Sequence, residues 1–154
     1  MNHRIVLPAL LALGSITAAA PSLAQEHYTE GNVITCDQYR VKEGKADAYA
    51  RYLRATVVPQ TDAAKKAGLL VDRYYFLRDE GPASAWNYMS CVALKNFAAF
   101  DYNAAEEKKM DEIAAAQLKT ADKTKQAEQT KARFEMRDYK GTTTLREIFL
   151  KPLP

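Results

Sequence analysis

Six polar or aromatic residues on predicted strands are the candidates for chemistry. They comprise one aspartate, two arginines and three tyrosines: Asp37, Tyr39, Arg73, Tyr75, Tyr88 and Arg146. In a shared pocket the aspartate would act as a base or hydrogen-bond acceptor, the arginines would hold an anionic group, and the tyrosines would orient an aromatic ring. The same residues also fit a structural role, in which a buried Asp–Arg pair and hydrogen-bonded tyrosines tie two sheets together.

Histidine offers little for catalysis or metal binding in this sequence. Beyond the N-terminal apolar stretch the one histidine is His27, which lies in a predicted loose arm. It is expected to be exposed, or to serve as a haem ligand or proton carrier if the arm folds over a pocket mouth. Without a strand histidine, acid–base work near neutral pH would need a strongly shifted aspartate or tyrosine. We therefore expect neither a metal nor a cofactor.

The two cysteines, Cys36 and Cys91, lie far apart in the sequence and form no Cys-x-x-Cys pair. Such spacing does not favour zinc or iron–sulfur ligation. The residues fall on strands that are predicted to be neighbours, so they form either a cross-strand disulfide or two small buried thiols. A catalytic thiol is not expected, because no nearby group would lower its pKa.

The N-terminus has the pattern of a secretory signal peptide at 1–24. A short basic start precedes the apolar stretch 5–20, and Ser22-Leu23-Ala24 offers small residues at a cleavage site after Ala24. An uncleaved anchor is the alternative. The pattern predicts a periplasmic or secreted protein. The full chain has 22 basic and 19 acidic residues without a basic cluster on one face, so neither nucleic acid nor a membrane is an expected partner.

Hydrophobic periodicity predicts a single α+β domain at 32–154 after an N-terminal arm at 25–31. The first half is predicted to contain a strand at 32–42, a helix at 45–67 and strands at 69–78 and 85–95; Pro59 kinks or breaks the helix, and Gly68 ends it. A second helix begins at Asn96 and resumes at 104–119. The charged segment 120–133 is a helix or a linker, and a last strand covers 141–151. This βαββαβ order is typical of a ferredoxin-like fold, in which the first and third strands lie in the middle of a four-stranded antiparallel sheet.

Alternation along the strands divides their side chains into two faces. We assign to the helix-covered face the set Ile34, Cys36, Tyr74, Phe76, Met89, Cys91, Ala93, Leu145 and Phe149. For the second strand the alternative stays open that Arg73, Tyr75 and Leu77 face the helices instead. The six candidate residues then lie on the uncovered face, which a second copy of the sheet would cover. A ring stripe of Tyr49, Tyr52, Phe97 and Phe100 is predicted to pack in the core, and the charged run 119–133 is predicted to be a solvated helix face.

Four short segments carry a resemblance to a known superfamily. They are Tyr39-Arg40-Val41-Lys42-Glu43-Gly44-Lys45, Val58-Pro59, Ala67-Gly68-Leu69 and Leu94-Lys95-Asn96-Phe97-Ala98-Ala99-Phe100-Asp101. In this order the chain resembles the dimeric α+β barrel superfamily, and in particular small exported bacterial members related to the NIPSNAP and EthD-like groups. Glu43 stands where the family usually has proline.

The resemblance implies a homodimer with a pocket between sheet and helices or inside the barrel. It does not imply one chemistry, since the superfamily includes cofactor-free monooxygenases, haem-binding proteins and lactone isomerases. The first hypothesis is a homodimer that binds a small aromatic or amphiphilic molecule. The alternatives are a cofactor-free monooxygenase- or isomerase-type enzyme, and a structural subunit whose interior is filled by its own side chains.

Overall fold

The computed structural model describes residues 27–79, 81–82 and 84–153, so the predicted signal peptide at 1–24 lies outside the described residues. The elements are the strand β1 (Tyr28–Val41), the helix α1 (Ala46–Tyr52), a π-helical segment (Leu53–Val57), the helix α2 (Val58–Lys66), the strands β2 (Asp72–Leu77) and β3 (Tyr88–Leu94), a 3₁₀ turn (Phe97–Phe100), the helices α3 (Ala104–Leu118) and α4 (Lys123–Met136), and the strand β4 (Arg137–Leu150). The described part of the predicted arm is thus mostly strand, because β1 begins at Tyr28.

The four strands form one antiparallel sheet in the order β2-β3-β1-β4. The predicted α+β class, the antiparallel sheet and the central position of the first and third strands are confirmed. The order is compatible with a ferredoxin-like fold. β2 and β3, which follow each other in the chain, pair as a hairpin. No helix in the described part of the chain is long and apolar enough to cross a membrane.

The predicted interruption at Pro59 is confirmed, and a contact from another helix stabilises it. Proline has no N–H to donate to the carbonyl four residues earlier, which belongs to Ala55. The chain adopts the π-helical segment Leu53–Val57 at this point and α2 starts with Pro59 in its first turn. The side-chain amide of Gln117 in α3 donates to the Ala55 oxygen at 2.9 Å. The hydrogen bond from Gln117 therefore joins α3 to the π-helical segment between α1 and α2.

The helix ends follow local sequence signals. Gly68 has the positive φ of +74° expected for a residue that ends a helix. Asn96 caps the 3₁₀ turn by accepting a hydrogen bond from the Ala99 N–H at 3.2 Å. Asn103 and Glu106 form a capping box at the start of α3. The charged segment is helical, as α4, with Asp122 as its N-cap.

The assignment of the sheet faces was wrong for β1, β3 and β4, which turn the other set of side chains towards the helices. For β2 the alternative that was kept open is the one observed, with Arg73, Tyr75 and Leu77 on the helix-covered face. Helix α1 packs its buried Tyr49 and Leu53 against Val41, and Tyr75 and Tyr88 contact the same cluster. The register places Asp37, Tyr39, Arg73 and Arg146 on that face as well. Both faces carry apolar side chains, so alternation alone did not distinguish them. The helices contribute apolar and aromatic side chains to this face, and the ring of Tyr49 meets that of Tyr88 edge to face.

The opposite face of the sheet is open. Its large apolar side chains are partly exposed to solvent: Tyr74 at 42%, Phe76 at 46%, Leu145 at 49% and Phe149 at 56%. Between them lie Ile34, Met89 and the two cysteines. We call this surface the open sheet face.

The prediction that all four rings of the stripe pack in the core is correct for two of them. Tyr49 is buried and stacks beside Tyr52, with ring centroids 6.3 Å apart. Phe97 and Phe100 are more than 40% exposed and stack on each other at 6.1 Å. The segment is a single 3₁₀ turn, which is too short to present both rings to the sheet.

Cys36 and Cys91 are directly opposite each other on β1 and β3 and are joined by a disulfide. Their Cα atoms are 3.9 Å apart, and both residues are buried in the middle of the open sheet face. The bond crosses the two central strands. It closes a loop that contains α1, α2 and β2.

Reduction of this disulfide should lower the free energy of unfolding by about 2–4 kcal/mol, because the bond restricts an unfolded loop with a sequence separation of 55. Urea unfolding with and without dithiothreitol measures the difference. The double variant Cys36→Ala/Cys91→Ala is the control and should not respond to dithiothreitol. Two titratable thiols in the unfolded, unreduced protein would contradict the bond.

Candidate functional site

Two cavities lie between the helix-covered face of the sheet and the helices. We call the first the tyrosine cavity; it has a volume of about 700 Å³, and its lining includes Tyr49, Tyr75, Tyr88, Val41 and Leu77. The second, which we call the arginine cavity, has a volume of about 170 Å³ and is lined in part by Asp37, Tyr39, Tyr49, Arg73, Ser90, Arg133 and Arg137. Tyr49 borders both.

Three aromatic rings form the wall of the tyrosine cavity. The ring of Tyr88 meets that of Tyr49 edge to face, with centroids 5.2 Å apart, and lies 6.3 Å from that of Tyr75. These contacts fix the ring positions, since edge-to-face pairs are a preferred aromatic geometry. The hydroxyl of Tyr75 is buried and has no hydrogen-bond partner within the described residues.

Asn87 closes one end of this cavity and has a structural role. Its side-chain oxygen accepts from the Val41 N–H at 2.8 Å, and its amide donates to the Val41 oxygen at 3.1 Å. The backbone N–H of Asn87 also donates to Tyr39 at 3.0 Å. The side chain thus replaces a residue of β3 in the pairing with β1, and its hydrogen-bonding groups are already engaged.

Arg137 lines the arginine cavity and contacts Tyr49, the residue that borders both cavities. Its guanidinium carbon lies 3.5 Å from the ring centroid of Tyr39 and 5.2 Å from that of Tyr49, and Nη1 donates to the Tyr49 hydroxyl. Such cation–π contacts are strongest where the cation is shielded from water. A bulge in β4 beside Gln38 determines this position, because it returns Tyr139 and Arg137 to the helix-covered face.

Asp37 is held by hydroxyl groups. Tyr39 donates to its Oδ2 at 3.0 Å, and the hydroxyl of Thr142 donates to its Oδ1. No ion pair in the described part of the chain joins this carboxylate to an arginine. The buried Asp–Arg pair that the sequence offered as a structural explanation is therefore absent from the described residues.

The six sequence-predicted residues divide among three places. Asp37, Tyr39 and Arg73 line the arginine cavity, and Tyr75 and Tyr88 line the tyrosine cavity. Arg146 lies apart from both, paired with Glu30 at 3.0 Å and stacked over Phe97 at 4.8 Å. All six are on the helix-covered face, whereas the sequence analysis had placed them on the uncovered one.

Three cavity residues are not predicted as such from the sequence: Tyr49, Arg133 and Arg137. Tyr49 was assigned only to the core. Arg133 belonged to the run interpreted as a solvated face, yet in that same run Gln126 is buried. The available signal was the three-and-four spacing of Gln126, Thr130, Arg133 and Arg137, which marks one side of a helix in polar residues.

His27 is exposed, and its backbone oxygen accepts from Lys151 at 2.8 Å. Within the described residues, no group of three or more histidine, cysteine, aspartate or glutamate side chains is arranged to hold a metal ion. The two cavities offer apolar surface, aromatic rings, hydroxyls, guanidinium groups and the carboxylates of Asp37, Asp47 and Asp79.

Comparison with known proteins adds no relative. No protein-family model matches the chain, and no curated protein or solved structure matches it either. The class of protein that the structure itself defines is an α+β protein with a four-stranded antiparallel sheet and two cavities under its helices.

Burial shifts the ionisation of the cavity tyrosines. Loss of hydration raises the pKa of Tyr88 to about 12, and the neighbouring Tyr49 and Tyr75 add to the shift. Loss of hydration also raises the pKa of Tyr39 to about 12, against the opposing effect of the positive Arg137. Burial raises the pKa of Tyr49 as well, and Arg137 again opposes it.

These pKa values predict a loss of stability in alkali. The unfolded tyrosines release their protons near pH 10 and the folded Tyr39 and Tyr88 near pH 12, so folding stability should fall as the pH rises between these values. Ultraviolet titration of the phenolates should show a late phase in the folded protein. Tyr39→Phe and Tyr88→Phe should each reduce by one the number of phenol protons released in that late phase. A late phase that persists unchanged in both variants would refute the assignment, and urea-unfolded protein is the control.

Proposed function

We propose that this chain is an exported homodimeric protein that binds a small aromatic or amphiphilic molecule in the tyrosine cavity. The cavity itself carries the proposal. Its volume of about 700 Å³ falls within the roughly 300–1,000 Å³ of ordinary small-molecule sites. Its wall combines the three tyrosine rings with the side chains of Val41 and Leu77.

The polar groups of the cavity indicate what kind of ligand fits. Asn87 is occupied by the backbone of Val41, whereas the buried hydroxyl of Tyr75 has no partner in the described part of the chain. A buried hydroxyl without a partner is costly, and a ligand with one hydrogen-bonding group would relieve that cost. The charged lining residues Asp47, Arg78 and Asp79 are exposed to solvent, and Asp47 pairs with Arg51. An apolar or aromatic body with a single polar group for the Tyr75 hydroxyl therefore suits the buried part of this cavity.

The open sheet face supports a homodimer. A two-fold axis places a surface against its own copy, so a charge near the axis would meet a like charge. The middle of this face consists of Ile34, Met89, Tyr74, Leu145 and the disulfide, with no charged side chain. Its charged residues lie at the margins: Asp72 pairs with Lys65, Glu147 accepts from Asn32, and Asp138 pairs with Lys42 beside Arg40. A second copy of the face therefore buries apolar surface without opposing charges.

The area of the open sheet face is also close to that of a stable dimer interface. Its strands contain 14, 6, 7 and 14 residues. At ordinary strand spacing they cover roughly 650 Å² of sheet before side-chain relief is added. This approaches the roughly 800 Å² per partner of a standard stable interface. Two such sheets, face to face, would make the α+β barrel that the sequence resemblance implies for a ferredoxin-like chain.

Export is supported by the N-terminal pattern and by the disulfide, since disulfides persist in oxidising compartments such as the periplasm. A cofactor-free monooxygenase or isomerase is less well supported than a binding protein. The carboxylate of Asp37 already accepts hydrogen bonds from Tyr39 and Thr142, which occupy the base that such chemistry would use.

Blocking the tyrosine cavity should abolish ligand binding. We expect indole or decanol to raise the melting temperature of the wild-type protein, because a ligand at about 100 times its Kd adds roughly 2.7 kcal/mol to the free energy of unfolding. Ala50→Leu fills the cavity from α1 and should remove the response. Ala132→Leu, on the exposed side of α4, is the matched control and should respond like the wild type. Silence of the wild type towards both compounds, or an unchanged response in Ala50→Leu, would overturn the proposed cavity.

Charges on the open sheet face should separate the dimer. Sedimentation velocity should find a dimer for the wild type at micromolar concentration and a monomer for Phe76→Glu and Leu145→Glu, because two like charges would be buried in each interface. Phe134→Glu places the same charge on α4, where the ring is 60% exposed, and should leave the dimer intact. A monomeric wild-type protein would rule out the dimer.

A further inference from the structure

The arginine cavity has an unusual charge distribution for a space of its size. Three arginines, Arg73, Arg133 and Arg137, line it together with a single carboxylate, that of Asp37. None of the three arginines takes part in an ion pair within the described residues. Clustered guanidinium groups repel one another, and a cluster retained without acidic partners needs an explanation.

Two of these arginines have buried hydrogen-bond donors without a partner. The Nε atoms of Arg73 and Arg133 are shielded from solvent and donate to no group in the described part of the chain. Buried polar atoms are almost always hydrogen-bonded, so each unsatisfied one marks a place where a partner is missing. Arg137 differs, since Tyr39 and Tyr49 already engage its guanidinium. It forms the wall, and Arg73 and Arg133 supply the free donors.

We propose that the arginine cavity binds a small carboxylate. The planar guanidinium fork matches the two oxygens of a carboxylate, which would accept from the free Nε–H groups and neutralise one excess positive charge. A phosphate dianion is disfavoured because the carboxylate of Asp37 also lines the cavity and would repel a double negative charge more strongly than a single one. The arginine cavity is separate from the tyrosine cavity. The proposal of a carboxylate site therefore does not depend on whether the tyrosine cavity binds an aromatic molecule.

Nuclear magnetic resonance of the arginine side chains tests this site directly. Titration of the ¹⁵N-labelled protein with benzoate should shift the Nε–H signals of Arg73 and Arg133, and inorganic phosphate should shift them less. Arg73→Gln and Arg133→Gln should each weaken benzoate binding more than about tenfold, the loss expected for one hydrogen bond to a charged group. Arg54→Gln, an exposed arginine outside both cavities, is the control and should bind normally.

The stability of the ligand-free variants separates binding from a structural role. Removal of one crowded cation should leave the melting temperature equal or raise it, whereas loss of a structural arginine would lower it. Arg133→Lys keeps the charge without the fork and should still lose affinity. The Ala50→Leu variant should retain benzoate binding. Phosphate binding tighter than benzoate, unchanged binding in both glutamine variants, or binding lost only in Ala50→Leu would overturn the carboxylate site.

Discussion

The contact of Arg137 with two tyrosine rings is the interaction on which the interior depends. Tyr39 comes from β1, Tyr49 from α1, and Arg137 is the first residue of β4, directly after α4. One guanidinium therefore joins a central strand, the first helix and the junction of the last helix with the last strand. The adjacent backbone bond from the Lys42 N–H to the Met136 oxygen, at 3.0 Å, fixes the same junction. Both cavities lie beside this contact.

The two faces of the sheet differ in the polarity of their side chains. The helix-covered face carries tyrosines, arginines and Asp37, whose polar groups require partners because water is excluded there. Asp37 accepts from Tyr39 and Thr142, Arg137 donates to Tyr49, and the exceptions are the unpartnered groups in the cavities. The middle of the open sheet face carries uncharged side chains around a disulfide, which need no partner beyond apolar contact. Polarity is therefore concentrated under the helices.

Much of the architecture could be predicted from the sequence, because strands and helices have distinct periodicities and Pro59, Gly68 and Asn96 mark their ends by local chemistry. Which sheet face the helices cover could not be predicted, because Cys36 and Tyr39 lie on opposite faces of β1 and either side chain can be buried. It depends on which residues the helices present and on the β4 bulge next to Gly141, and a bulge shifts register without changing composition. The arginine cavity was missed for a related reason. Arg133 lies on a polar helix stripe, and a pattern based on apolar residues does not register it.

The position of the disulfide has a consequence for how the chain breaks. Because the bond joins the two middle strands, the hairpin turn between β2 and β3 and both halves of the first helical layer lie within the loop that it closes. Proteolytic cleavage of one peptide bond in that loop leaves two fragments covalently attached, with the central strands still paired. Separation of the fragments then requires a reductant, so a nicked molecule and an intact one have nearly the same mass until the sulfur–sulfur bond is cut.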